Sequence, residues 1–202
     1  MDAATGLTLY REYLERYITF SQEEWDVFVQ HLTFSKLKKK QHFVTADAVC
    51  NKFGFLVSGA VRYYHLINGD DITSYFSFEQ EFTSSYKSFV TQTPTITYIQ
   101  ALEETLLINT SYQAMQQMLA HPLHAYKIER FGRLIAEHYL CCYEDRMASF
   151  ITQSPEERYL QLLQTGKDIL QRMPQHYIAH YLGITPVSLS RIRKRILEPA
   201  VK

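Results

Sequence analysis

The sequence predicts an α+β chain with three parts: an N-terminal all-β sandwich, roll or barrel, a long helix, and a C-terminal helix-turn-helix domain. Residues 34–109 fall into short runs rich in Phe, Tyr, Val, Ile and Thr, as strands require. Residues 111–150 return to a helical period. Residues 173–196 read as two short helices joined by a glycine turn. The expected domains are 1–120 for the roll, 121–150 for the long helix and 151–202 for the last domain.

At the N-terminus, Leu7, Tyr10, Leu14, Tyr17 and Ile18 recur close to a 3.6-residue period, so residues 7–32 are expected to be helical. Ser21-Gln22-Glu23-Glu24 has the pattern of a capping box. The helix it starts would bury Trp25, Phe28 and Leu32. Lys38-Lys39-Lys40 reads as a charged strand edge, which suppresses edge-to-edge pairing. Gly59 separates FGFLVS from AVRYYHLI. Asn68-Gly69 precedes DITSYFSF, and both residues tolerate the positive φ of a tight hairpin. YIQA and TLLINT are further strands. Short strands with regular turns suit a sandwich, a roll or a barrel.

Pro122 suits the first turn of the long helix. Ile128, Phe131, Ile135, His138 and Cys142 follow at spacings of 3, 4, 3 and 4. That stripe is narrow, like a coiled-coil seam. It reads either as a dimer seam or as the face of a helix packed on its own β domain. Ser154-Pro155-Glu156-Glu157 then opens a new helix, with Ser as cap, Pro at the first position and acids in the first turn. That helix stops near Thr165-Gly166.

The last segment, MPQHYIAHYLGITPVSLSRIRKRI, carries the most specific pattern. Pro174 starts a short helix with Tyr177, Ile178, Ala179 and Leu182. Gly183 follows, where a chain leaving a helix takes positive φ most cheaply. Thr185 is placed as an N-cap and Pro186 at the first helical position. Leu189, Ile192 and Ile196 point inward. Ser188, Ser190, Arg191, Arg193, Lys194 and Arg195 lie on the other face, on the helix that would enter a major groove.

Composition narrows the function classes. The 202 residues are 46% hydrophobic and 21% charged, ordinary for a globular protein. Net charge is zero, yet residues 154–202 hold eight Lys/Arg against four Asp/Glu, a net of +4. A basic C-terminal module on an acidic body suggests a polyanion at one end. Cys50, Cys141 and Cys142 form no CxxC, so neither a disulfide framework nor a zinc ribbon is expected. Adjacent Cys141 and Cys142 read as packing residues. No apolar run approaches the ~18 residues of a membrane span. The N-terminus carries charges where a signal peptide needs an apolar core. A cytoplasmic protein is expected. No HxH, no GxSxG and no phosphate loop occurs, so no enzyme is expected.

The order of segments, the stretch QHYIAHYLGITPVSLSRIRK, the hairpin FLVSGAVRYY…NGDD and the strand ALEETLLI together resemble the Crp/Fnr family of bacterial transcription regulators. The resemblance spans essentially the whole chain. It implies a jelly-roll-like, cyclic-nucleotide-binding-like β-roll, a long dimerisation helix and a C-terminal (winged) helix-turn-helix domain. Arg191 aligns with the family's base-reading arginine, which can donate two parallel hydrogen bonds to guanine O6 and N7. Thr185, Ser188, Gln175 and His176 would hold phosphates, and Arg193, Lys194 and Arg195 would add charge. Pro186 and Val187 stand where the family often has base-reading Arg-Glu; they can offer only apolar contact to a thymine methyl. The implied partners are double-stranded DNA, a second copy of the chain and a small-molecule effector, with RNA polymerase a partner the resemblance allows. The resemblance also leaves room for a ligand-binding or protein-interaction module of the same fold that has lost DNA binding. Little sequence after Ile196, with Glu198-Pro199, is left for a wing.

The family's cyclic-nucleotide cassette places a Gly-Glu near a short helix and an Arg before Ser/Thr-Ala. Here Glu81 is kept, but Gln80 replaces the glycine and Thr95 the arginine. Burying a phosphate without that cation costs several kcal/mol, so cyclic AMP is not the expected effector. Ser84, Ser85, Tyr86, Lys87, Thr95 and Thr97 read either as a polar pocket beside Glu81 or as loop and strand-edge surface. No cofactor is expected. No cysteine precedes Cys50 to hold an iron–sulfur centre, and His31, His42 and His65 lack the spacing of ligands. An effector would shift the population of states through the long helix and a hinge near residues 149–154.

Overall fold

The structure, a computed structural model, describes residues 3–197. Two compact units divide the chain: residues 1–63 with 76–139, and residues 64–75 with 140–202. The division after residue 139 falls within the long helix.

The first unit starts with α1 (Ala3–Leu14) and α2 (Gln22–Val29). Ser21 caps α2 as expected: its hydroxyl accepts from Glu24 N at 3.2 Å, and the Glu24 carboxylate accepts from Ser21 N at 2.6 Å. Trp25 and Phe28 are buried. Leu32, expected to be helical, instead opens β1 (Leu32–Leu37). Lys38, Lys39 and Lys40 form the exposed turn after β1 rather than a strand edge. The strands β2 (His42–Val44), β3 (Lys52–Ser58), β4 (Val61–Ile67), β5 (Asp70–Ser77) and β6 (Phe82–Thr83) follow. A short helix, α3 (Tyr86–Thr91), precedes β7 (Tyr98–Ala101) and β8 (Thr105–Ser111).

The strands form two four-stranded sheets, ordered β1-β8-β3-β6 and β2-β7-β4-β5. Strand β3 shows how the roll is held. Side chains alternate faces along a strand, and here both faces are covered. Phe55 and Val57 pack against the helices, in a core with Tyr10, Tyr13, Phe82 and Ile108. Leu56 points the other way, into a second core with Phe43, Val61, Ile99 and Leu107. Burying each such side chain contributes roughly 1.5–3 kcal/mol. Tyr10 stacks on Phe55 with ring centroids 4.7 Å apart. Two turns need left-handed backbone. Gly59 has φ +91°, and a Cβ there would lie 2.6 Å from the Glu104 carbonyl oxygen. Asn68 and Gly69 both take positive φ at the β4–β5 turn.

Helix α4 (Tyr112–Ala120) precedes the 28-residue α5 (Ala125–Thr152). Pro122 lies in the turn before α5, not in its first turn. The second unit adds α6 (Pro155–Thr165), α7 (Lys167–Arg172), α8 (Gln175–Tyr181) and α9 (Pro186–Leu197). Ser154 and Glu157 form a capping box at α6, with Pro155 at its start. The described residues end with α9, so Glu198-Pro199 and any wing lie outside them. No helix among the described residues is long and apolar enough to cross a membrane.

Candidate nucleic-acid interface

Helices α8 and α9 form the expected helix-turn-helix. Gly183 takes φ +72° between them, and Ile184 N donates to Ala179 O at 3.0 Å. Thr185 caps α9: its hydroxyl accepts from Ser188 N at 3.2 Å. Ile178, Ala179, Leu182, Leu189 and Ile192 are buried and fill the angle between the helices. The fully buried Ala179 has no bulk to hold α9 away.

Burial of that apolar stripe turns the basic face outward. Arg191 is exposed, and its guanidinium makes no hydrogen bond or ion pair among the described residues. Ser190, Lys194, Pro186 and Val187 are exposed on the same helix. Several expected contacts have intrachain partners. Arg193 donates to the Gln175 side-chain oxygen at 2.6 Å, joining α9 to the start of α8. Arg195 pairs with Glu156 at 2.5 Å. Exposed pairs of this kind contribute about 0.2–1 kcal/mol, so a phosphate can displace them. His176 is exposed and packs its ring on Tyr177, centroids 4.1 Å apart. The Thr185 and Ser188 hydroxyls lie 3.0 Å apart. One proton serves that contact, which leaves the other for an external acceptor.

Two residues that the sequence reading did not single out hold this element in place. Arg146 of α5 donates to Tyr181 O at 2.8 Å and to Ser74 O at 2.9 Å. Its guanidinium also lies over the Tyr181 ring, 4.0 Å from the centroid. Burial pushes the Arg146 pKa below the usual arginine value. Arg158 of α6 donates twice to Leu182 O, at 3.1 and 3.2 Å, and to Gln153 O at 2.6 Å. Carbonyls at a helix C-terminus lack intrahelical donors; these two arginines supply them at the end of α8.

In the roll, the residues considered as an effector pocket bond mostly to one another or to backbone. Thr95 is buried, with its hydroxyl 2.7 Å from Ser85 Oγ and accepting from Thr97 N at 3.0 Å. Ser84 donates to Lys52 O at 3.1 Å. The Glu81 carboxylate accepts from Phe78 N at 3.2 Å, bracing its own turn. Tyr86 and Lys87 are exposed. Tyr63, half-buried, donates to Thr83 Oγ1 at 2.8 Å and lies 3.3 Å from Ser77 Oγ, linking the buried hydroxyls of two strands. The structure thus brings Ser85, Thr95 and Thr97 together and leaves Glu81 and Ser84 in separate contacts.

No protein-family model and no curated protein matches the sequence. Solved structures do match. A transcriptional regulator assigned to the Crp/Fnr family, from Eubacterium rectale, is 17% identical with a TM-score of 0.69, over 93% of this chain and 90% of that one. FixK2 from Bradyrhizobium japonicum is 18% identical with a TM-score of 0.64, over 82% and 84%. The c-di-GMP-responsive global regulator CLP of Xanthomonas campestris is 13% identical with a TM-score of 0.65, over 85% and 89%. The chain has the Crp/Fnr fold.

Within this Crp/Fnr fold, α5 differs from the seam expected of it. Ile128, Phe131 and Ile135 belong to the core of the first unit, only 4%, 8% and 4% exposed. Phe131 meets Tyr17 and Phe82 edge-on, each with centroids 5.8 Å apart. His138 is exposed and Cys142 half-buried. The 3, 4 spacing reflects the helix packing on its own β domain, so these three residues are not free for a second chain. The exposed apolar stripe of α5 lies elsewhere: Leu140, Tyr143, Met147 and Phe150, in the second unit. Among the described residues, no group of three or more His, Cys, Asp or Glu could hold a metal ion.

Proposed function

We propose that this chain is a sequence-specific, homodimeric DNA-binding transcription regulator of the cytoplasm, with the β-roll as a sensor domain and no catalytic activity. The observation that carries this reading is Arg191, exposed on a well-capped α9 and without a partner among the described residues. Helix α9 bears four cations and no acid. Arg191 reads a guanine through two parallel donors. Thr185, Ser188 and His176 take phosphates, joined by Gln175, Arg193, Lys194 and Arg195 once their intrachain contacts exchange. Two copies present two such helices to half-sites about one helical turn apart.

The dimer seam in this reading is Leu140, Tyr143, Met147 and Phe150, spaced 3, 4 and 3 like the a and d positions of a heptad. In this reading the effector is not cyclic AMP, because Thr95 takes the place of the arginine that the Crp/Fnr resemblance implies for neutralising the phosphate. RNA polymerase is the further partner such a regulator contacts. The test is duplex binding by fluorescence anisotropy over a salt series. Arg191→Ala is expected to lose about 1–3 kcal/mol on a preferred site and little on random DNA. Equal loss on both would remove Arg191 from base reading.

A further inference from the structure

We propose that the first unit binds a flat, uncharged aromatic molecule of one or two rings in a cavity outside the β-roll, entered beside Gly132. The cavity measures about 320 Å³ and lies between the helices and the helix-facing side of the β1-β8-β3-β6 sheet. Its sheet wall includes Phe53, on the same face of β3 as Phe55 and opposite to Leu56. Of the polar residues around Glu81 named above, Tyr86 lines it, whereas Glu81, Ser84, Ser85, Lys87, Thr95 and Thr97 do not. An apolar cavity of about 150 Å³ lined by Leu, Ile and Phe accommodates benzene. Twice that volume admits two fused rings.

The lining selects the chemistry. Phe53, Phe89 and Phe131 offer ring faces and edges, and Met115 and Met118 offer polarisable thioethers. Tyr10 also lines the cavity, and burial raises its pKa, so its hydroxyl stays neutral. The charged lining residues Glu129 and Arg133 are exposed, and Arg133 pairs with Glu137, so a charged ligand would lose its hydration in the interior without a buried counter-ion.

Gly132 is the second observation. Glycine inside a helix costs roughly 0.5–1 kcal/mol relative to alanine, and Gly132 lies well inside the 28 residues of α5. A Cβ there would meet nothing within 4 Å, so no packing within the chain calls for glycine. It is exposed and lines the cavity, so a missing side chain at that point leaves this part of the rim uncovered.

The chain supplies its own reporter. Trp25 is the single tryptophan. It packs on Phe20 and Phe28, with centroids 5.9 and 5.6 Å away, and both line the cavity. The inference concerns the first unit alone and does not depend on the DNA-binding reading.

The experiment uses the full chain. Indole is titrated by calorimetry, and toluene is titrated while Trp25 emission is followed. Gly132→Leu and Val90→Phe, the latter on α3, each narrow the cavity; Arg130→Leu adds a leucine to α5 away from it. The expected result is saturable binding at one site per chain. It weakens about tenfold or more in both narrowing variants and is unchanged in Arg130→Leu, with Gly132→Leu melting no lower than the parent. Absence of saturable binding of both compounds overturns the proposal. So does binding as tight as the parent's in both narrowing variants. A change of oligomeric state in Gly132→Leu, seen by sedimentation, with binding retained, would assign the glycine to a helix–helix contact instead.

Discussion

Arg191 stands exposed on α9, while Arg193 and Arg195 are held by Gln175 and Glu156. The three arginines therefore carry different expectations. Arg191→Lys keeps the charge but loses the paired donors, so discrimination between sites falls while nonspecific affinity stays. Arg195→Ala weakens all duplexes alike and makes the salt dependence shallower by about one counter-ion. Binding isotherms at several salt concentrations separate the two. A second expectation concerns acid stability. Lys127, bonded to the Glu24 carboxylate at 2.6 Å, and Ser21 N hold the Glu24 pKa below the usual 4.5. A depressed carboxylate stabilises the fold above its unfolded pKa, and that stability is lost as pH falls through the folded value. Glu24→Gln is expected to flatten the acid limb of the pH–stability curve, read by urea unfolding on both sides of pH 4.5. The capping pattern at Ser21-Glu24 was legible in the sequence because its partners are three residues apart. Lys127 was not, because it comes from a distant helix.

At the scale of elements, the helix-turn-helix was the most legible part. Gly183, Thr185 and Pro186 act locally, and local backbone preference is what a sequence displays. The clamps on it were hidden. Arg146 and Arg158 donate to carbonyls of Ser74, Tyr181 and Leu182, and backbone acceptors leave no mark in the residue pattern. Arg158→Met is expected to destabilise the second unit by roughly 1–3 kcal/mol, because the Leu182 carbonyl loses both donated bonds. Thermal unfolding of the full chain reads this as an earlier transition. The face of α5 misled for a different reason. Apolar residues at 3 and 4 spacing look the same whether a β domain or a second helix covers them. Only the burial of Ile128, Phe131 and Ile135 separates the two cases.

For the whole molecule, the α+β class and the order of roll, long helix and helix-turn-helix follow from the change of hydrophobic period along the chain. The unit boundary inside α5 does not, because nothing in the local pattern of a continuous helix marks where tertiary packing changes. The effector pocket was likewise illegible: Ser85, Thr95 and Thr97 have polar side chains whether they bond a ligand or one another. Self-association belongs to this scale. Tyr143→Glu puts a charge in the exposed stripe of α5 and is expected to shift the chain toward monomer in sedimentation, with a matching loss of affinity for two-half-site DNA. An unchanged dimer would place the seam elsewhere. The most direct test of the regulator account is selection of duplexes from a randomised DNA pool by the purified chain at fixed salt, with Arg191→Ala in parallel. The account predicts enrichment of a two-fold symmetric site by the parent and its loss in the variant. A parent that enriches no sequence over random DNA, or a variant that enriches the same site, would contradict it.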